Sequence, residues 1–145
     1  MTDVRTPAPD PMTGAALRCT RERLGLTTRW LADHLDVNER SLHRWEAGVR
    51  RVPRGVCAEI ERLQTCHDEL VQRLDGALSA MSEPRLVTWR TDADVSSAGG
   101  PEAGYPASWH RAAVAQVLVH RPGTRVAYRD GEDGERSADG DGDGG

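Results

Sequence analysis

The chain of 145 residues is predicted to be mainly α-helical. We expect a compact N-terminal bundle of four to five helices, a long connecting helix, a small α+β C-terminal region and a disordered acidic tail. Three observations predict this fold class. Capping residues precede short apolar runs of helical spacing in the first third of the chain. A single apolar stripe then continues through about three and a half heptads. Two short β-rich runs follow, separated by another run of helical spacing.

The first helix is predicted from about Thr13 to Leu24. Thr13 is a capping residue, and Gly25 suits the left-handed conformation that ends a helix. Helical spacing places four residues on one face, which we expect to pack inward: Ala16, Leu17, Thr20 and Leu24.

Two further short helices follow, joined by a tight turn. The second helix begins at Thr27 or Thr28, and the turn is Leu35-Asp36-Val37. Asn38 then caps a third helix, which runs to about Ala47 and ends at Gly48. The residues expected to supply the apolar contacts of both helices are Trp30, Leu31, Ala32, Leu35, Leu42 and Trp45.

Residues 53–82 are predicted to form one long helix that begins at Pro53 or Arg54, since proline is tolerated in a first helical turn. Its apolar stripe is Val56, Ile60, Leu63, His67, Leu70, Leu74, Ala77 and Met81. The later part of this stripe has nothing in the N-terminal bundle to cover it. A partner helix must therefore come from the C-terminal segment or from a second copy of the chain.

The C-terminal region is predicted to combine two strands with one helix. Pro84 closes the long helix, and residues 86–89 form a short strand. Residues 91–107 are expected to be loop, after which Ser108 caps a helix over 109–120. Its inward face carries Trp109, Ala113 and Val117, and residues 124–128 form a second strand.

The net charge of −4 is unevenly distributed along the chain. Residues 130–145 carry seven acids and one arginine, whereas residues 13–55 carry nine arginines and five acids. The predicted organisation is a flexible arm over 1–12, an N-terminal domain over 13–62, a connecting helix with a second region over 63–129, and the tail over 130–145. The positive charge therefore lies on the N-terminal domain.

The third helix divides into an apolar face and a polar face, as a helix that reads DNA requires. Leu42 and Trp45 are spaced to anchor it, and its polar residues are spaced to project from it. Arginine can bind guanine O6 and N7 with two hydrogen bonds, and glutamate can accept one from the amino group of cytosine. We therefore predict that base edges are read by Glu39, Arg40, His43 and Arg44.

The DNA backbone is expected to be bound by groups on either side of the turn. The free N–H groups and the positive dipole end of the second helix attract phosphate. The predicted phosphate-binding residues are Thr27, Thr28, Arg29, Asn38, Arg50, Arg51 and Arg54. Glu46 is expected to brace the fold by pairing with an arginine such as Arg23.

This segment resembles the Xre/Cro-type helix-turn-helix family. The matching residues are Arg-x-x-Leu-Gly-Leu-Thr-Thr at 21–28, Trp30-Leu31-Ala32, Leu35-Asp36-Val37, Ser41-Leu42, Arg44-Trp45-Glu46-x-Gly48 and Pro53. The resemblance covers about 45 residues and implies a DNA-binding regulator. The base-reading positions of the family correspond to Glu39, Arg40, His43 and Arg44. The family usually has glutamine where the second helix opens; here that residue is Thr28.

The layout also resembles the anti-CRISPR-associated group of regulators, through Gly104-Tyr105-Pro106 followed by a helix that carries Trp109. This resemblance implies a homodimer that binds an inverted repeat in double-stranded DNA and represses its own operon. The interface would be formed by Leu63, His67, Leu70, Leu74, Trp89 and Trp109.

An alternative function remains open: an antitoxin or adaptor whose C-terminal region binds a partner protein. We do not expect an enzyme, because the sequence has no HExxH motif, no paired-cysteine metal site, no nucleophile elbow and no phosphate-binding glycine loop. We also expect no cofactor and no metal, since Cys19, Cys57 and Cys66 lack the spacing of metal ligands. Without a signal peptide or a spanning apolar run, the chain is expected to be cytoplasmic.

Overall fold

The computed structural model describes residues 12–129, in which six helices and one two-stranded sheet are formed. The chain divides into two compact units, and the boundary lies within the long helix, between His67 and Asp68. The elements are α1 Gly14–Arg23, α2 Thr28–Leu35, α3 Glu39–Glu46, α4 Arg54–Ser79, β1 Arg85–Thr88, α5 Asp92–Ala98, α6 Ala107–His120 and β2 Arg125–Tyr128. The mainly helical fold class is thereby confirmed. The predictions for the first eleven residues and for 130–145 lie outside the described residues.

The three predicted caps of the N-terminal unit are all formed. Side-chain oxygens accept hydrogen bonds from backbone N–H groups three residues later: Thr13 from Ala16, Thr27 from Trp30 and Asn38 from Ser41. Each cap satisfies a donor that has no partner inside its own helix. Asp36 adopts the left-handed conformation, with φ 55°, and so produces the tight turn before α3.

The core of the N-terminal unit confirms the inward residues of α2 and α3 but corrects those of α1. Leu31, Leu42 and Trp45 are buried, whereas Ala16 is exposed. Leu17 and Leu24 are buried as expected, Thr20 is half-buried, and Arg21 joins the inward face in place of Ala16. An arginine can occupy this buried face because its charge is paired with Glu46.

Arg21 is the arginine that forms a buried ion pair with Glu46. Its Nε and Nη2 donate to the Glu46 carboxylate at 2.9 Å, and its Nη1 donates to the Leu26 carbonyl at 2.9 Å. Glu46 therefore braces the fold by pairing with an arginine, as expected, and that arginine is Arg21 rather than Arg23. Position 21 lies four residues after Leu17 and three before Leu24, so it shares their face.

The α4 helix is shorter than predicted and buries a different last turn. Ala77 is exposed, and Met81 lies beyond the helix with 43% exposure, while Leu78 is buried. An α-helix repeats every 3.6 residues, so a strict seven-residue stripe drifts by about 20° per heptad on a straight helix. After three heptads the inward position moves from residue 77 to residue 78.

In the C-terminal unit, β1 and β2 pair in parallel, with Leu86 opposite Val126. Parallel strands need a crossover connection, which α5 and α6 supply. The expected loop over 91–107 is wrong, because α5 forms there with a reciprocal capping box between Thr91 and Asp94.

The α6 helix begins two residues earlier than predicted, at Ala107. Ser108 lies inside it and is not its cap. Asp92 Oδ1, from the start of α5, accepts a hydrogen bond from the Ala107 N–H at 2.8 Å. Trp109, Ala113 and Val117 form the inward face, as expected.

Two sources were open for the side chains that cover the later part of the apolar stripe of α4: the C-terminal segment and a second copy of the chain. Leu78 packs with Leu86, Val114 and Val117, and Leu74 packs against this cluster. The C-terminal segment therefore covers this end of α4 within one chain. None of the helices in residues 12–129 is long and apolar enough to cross a membrane.

Candidate nucleic-acid interface

The α3 helix has one buried side and one open side. Leu42 is fully buried and Trp45 is 8% exposed, so both anchor the helix in the N-terminal core. On the open side, Glu39, Arg40 and His43 are exposed, and Arg44 is half-buried. The structure thus brings the four predicted base-reading residues to one helix and leaves them accessible.

A hydrogen bond joins the first turns of α2 and α3. The Thr28 hydroxyl donates to Glu39 Oε1 at 2.8 Å, and His43 Nε2 lies 3.9 Å from the same oxygen. The Glu39 side chain nevertheless keeps 47% of its surface exposed. Its carboxylate is therefore held in place while its other acceptor sites remain available. No spacing rule predicts this contact.

Two of the caps leave donors that phosphate oxygens can accept. The Thr27 oxygen accepts from Trp30 N–H at 3.0 Å, and its own hydroxyl proton remains a donor. Asn38 accepts through Oδ1 at 2.8 Å and keeps its side-chain NH₂ group. Thr28 differs from both, because its proton is already donated to Glu39.

The four arginines that are predicted to bind phosphate are exposed to solvent. One precedes α3 in the sequence and three follow it. Arg29 lies in the first turn of α2, and Arg50, Arg51 and Arg54 follow the end of α3. Gly48, with φ 76°, makes the turn that leads into this stretch. Their contact with phosphate remains a prediction.

The position of α3 is fixed by α1. A Cβ atom on Gly14 would lie 2.0 Å from the Trp45 carbonyl oxygen and 2.9 Å from that of Glu46. Only glycine therefore allows the start of α1 to lie against the end of α3. The Arg21–Glu46 ion pair joins the same two helices. A glycine directly after the capping Thr13 was the available signal, and sequence reasoning missed it.

The six residues assigned to a dimer interface are mostly covered within one chain. Leu63 and His67 are fully buried, and Leu70 and Trp109 are 3% and 1% exposed. Leu74 and Trp89 are half-buried. A dimer that used the four buried side chains would first have to open the single chain. The interface assignment remains a prediction.

Comparison with known families agrees with this geometry. The match begins at the first residue of α1 and extends through α2 and α3 into α4. Residues 14–74 match the family model of a helix-turn-helix domain. This match supports a DNA-binding regulator. No curated protein matches the chain.

Proposed function

We propose that this helix-turn-helix protein is a transcriptional repressor of the Xre/Cro type, which binds an inverted repeat in double-stranded DNA as a homodimer. One observation carries the proposal. The α3 helix is anchored by Leu42 and Trp45 and exposes Glu39, Arg40 and His43 on its other side. A helix of this kind can enter the major groove and present its N-terminal residues to base edges.

In the proposed complex, Arg40 and Glu39 supply sequence preference. Arg40 binds guanine O6 and N7, and Glu39 accepts a hydrogen bond from a cytosine amino group. The Thr28 hydroxyl positions the Glu39 carboxylate before DNA arrives. The proposed half-site therefore contains a guanine read by Arg40 and a cytosine read by Glu39.

The phosphate contacts set affinity and register. The Thr27 hydroxyl donates at the start of α2 and the Asn38 amide at the start of α3, and Arg29, Arg50, Arg51 and Arg54 add charge. Neutralising phosphates releases counterions, so binding weakens as salt rises. These contacts hold α3 in the groove without selecting a sequence.

A repressor with one such helix per chain needs two copies to recognise an inverted repeat. Two α3 helices would lie about 34 Å apart, one turn of DNA, and the bound dimer would cover a promoter. Leu63, His67, Leu70 and Trp109 of the predicted interface are buried in the single chain, and Leu74 packs against the cluster around Leu78. We propose that the dimer contact also uses surface that is open in the single chain, such as Val119, which is 76% exposed.

Footprinting on the DNA upstream of its own coding sequence tests the proposal. We expect two protected half-sites about one helical turn apart. Arg40→Ala should weaken specific affinity by roughly 1–3 kcal/mol, because one bidentate base contact is lost. Arg18→Ala is the matched control, since Arg18 is an exposed arginine of α1 that pairs with Glu22. It should leave binding unchanged.

The outcomes separate the parts of the proposal. Equal affinities of Arg40→Ala and the parent chain would remove Arg40 from base reading. A single protected half-site, together with a monomer by light scattering, would contradict the homodimer. A monomer that binds no DNA but associates with the product of a neighbouring gene would favour an antitoxin or adaptor.

A further inference from the structure

A cavity of about 290 Å³ lies in the C-terminal unit, between α6 and the two-stranded sheet. Its walls include Val114 and Leu118 of α6 and Val126 and Tyr128 of β2. We call it the α6–β2 cavity. Its volume is close to the lower end of the range of about 300–1,000 Å³ that is typical of ligand pockets.

The apolar wall of the α6–β2 cavity is a part of the core that remains open. Val114 belongs to the buried cluster around Leu78, and Leu118 and Val126 pack against that cluster. The same three side chains line the cavity, and Leu118 and Val126 are only half-buried. An apolar ligand in the cavity would remove this surface from water, which is favourable.

Of the charged side chains in the described part of the chain, Arg111 alone lines the α6–β2 cavity. Its Nη1 donates to the carbonyls of Trp89 at 2.6 Å and Arg90 at 3.0 Å. Nη1 carries two N–H groups, so these two bonds use it fully. The Nε and Nη2 groups of Arg111 have no acceptor within residues 12–129. Together they form the fork that binds a carboxylate through two parallel hydrogen bonds.

The polar groups of the cavity are held in place before any ligand binds. The two carbonyl bonds fix the guanidinium of Arg111, which is half-buried. Tyr128 lies two residues after Val126 on β2 and therefore shares its face of the strand. The guanidinium of Arg90 lies 4.2 Å over the Tyr128 ring, whose hydroxyl is a further donor. Such preorganisation lowers the entropy cost of binding.

We propose that the α6–β2 cavity binds a small aliphatic carboxylate. Arg111 takes the carboxylate, and Val114, Leu118 and Val126 contact the alkyl chain. One guanidinium balances the single charge of a carboxylate, whereas a phosphate monoester carries about −1.5 to −2 at neutral pH. The proposal is independent of DNA binding, because every residue it uses lies in the C-terminal unit.

Calorimetric titration of the full chain, below the micelle concentration of each probe, tests this proposal. The probes are octanoate, octyl phosphate and neutral octan-1-ol, which share one alkyl chain. We expect one octanoate per chain and an affinity for octan-1-ol that is about tenfold lower or less, because the alcohol lacks the charge-assisted bonds to Arg111. No binding of octanoate, equal binding of octan-1-ol or tighter binding of octyl phosphate would overturn the proposal.

Arg111→Gln should weaken the binding of octanoate about tenfold or more, since the charge-assisted contact is lost. Arg125→Gln is the matched control, because Arg125 is an exposed arginine at the start of β2 that does not line the cavity. It removes the same charge and should leave the affinity unchanged. Equal affinities of the two variants would overturn the proposal.

Arg111 also bonds the backbone after β1, so a second variant leaves it in place. Ala115 is an exposed residue of α6 that lines the cavity, and Ala115→Phe should abolish octanoate binding by filling the space. Ala77→Phe, at an exposed alanine of α4 outside the cavity, should bind octanoate like the parent chain. Octanoate binding retained by Ala115→Phe would overturn the proposal. So would a parent dimer that ignores octanoate and dissociates in Ala115→Phe, because the cavity would then belong to a second copy of the chain.

Discussion

The hydroxyl of Thr28 donates a hydrogen bond that orients the Glu39 carboxylate. A carboxylate near DNA is repelled by phosphates, so it contributes to binding only where it meets a hydrogen-bond donor such as the cytosine amino group. The 2.8 Å bond from Thr28 holds the Glu39 carboxylate beside the first residue of α2. In the proposed complex, recognition at this position would therefore be shared between a residue of α2 and one of α3.

Thr28→Val removes this donor and keeps the side-chain volume. We expect the preference for one base at the position read by Glu39 to fall by about 1 kcal/mol, because the carboxylate loses its fixed orientation. Competition binding with duplexes substituted at each half-site position measures this preference. Thr65→Val, at an exposed threonine of α4 that bonds only its own helix, is the control. Unchanged preference in Thr28→Val would exclude a positioning role.

At the level of helices, contact between α1 and α3 fixes the reading surface. Gly14→Ala would place a methyl group 2.0 Å from the Trp45 carbonyl, so α1 must shift away from α3. We expect the free energy of unfolding to fall by roughly 1–3 kcal/mol. Gly76→Ala, within α4 and with nothing within 4 Å of the added atom, should instead raise it by roughly 0.5–1 kcal/mol. Urea unfolding measures both; a neutral or stabilising Gly14→Ala would show that the close approach does not constrain the fold.

At the level of helices, part of the structure could be predicted from the sequence and part could not. Helix caps and inward residues of α2 and α3 depend on neighbours in the chain, and local pattern predicted them correctly. Three contacts join residues that are distant in the chain: Arg21 with Glu46, Asp92 with the N–H of Ala107, and Gly14 with the carbonyl oxygens of Trp45 and Glu46. No spacing rule encodes such contacts. The α5 helix was missed because its residues are small and polar, although Thr91 and Asp94 carried a capping-box signal.

For the whole molecule, the distribution of charge matters more than its sum. A net charge of −4 disfavours DNA, yet nine arginines against five acids lie within residues 13–55. Electrostatic attraction falls off within about 8 Å at physiological salt, so phosphates respond to the nearby arginines rather than to the total. An acidic protein can thus carry a basic reading surface.

The N-terminal unit should also lose stability in acid. Arg62 donates to the Glu59 carboxylate at 2.6 Å, and His34 Nε2 lies 2.7 Å from the same carboxylate. The hydrogen bond from Arg62 has the larger effect, and together the two contacts lower the pKa of Glu59 to about 2. A group with a lowered pKa stabilises the fold when ionised, so its contribution is present above pH 4.5 and is lost as pH falls toward 2. Because its side chain is 28% exposed, water screens the pair, and we expect about 1 kcal/mol at neutral pH.

Glu59→Gln should remove this part of the acid dependence. The variant should be less stable than the parent chain at neutral pH and should approach it as pH falls through the same window, since protonation neutralises the parent carboxylate there. Chemical unfolding at a series of pH values measures the difference. Glu61→Gln, at an exposed neighbour on α4, should follow the parent profile. Parallel profiles for Glu59→Gln and the parent chain would mean that the Arg62 and His34 contacts do not favour the folded state.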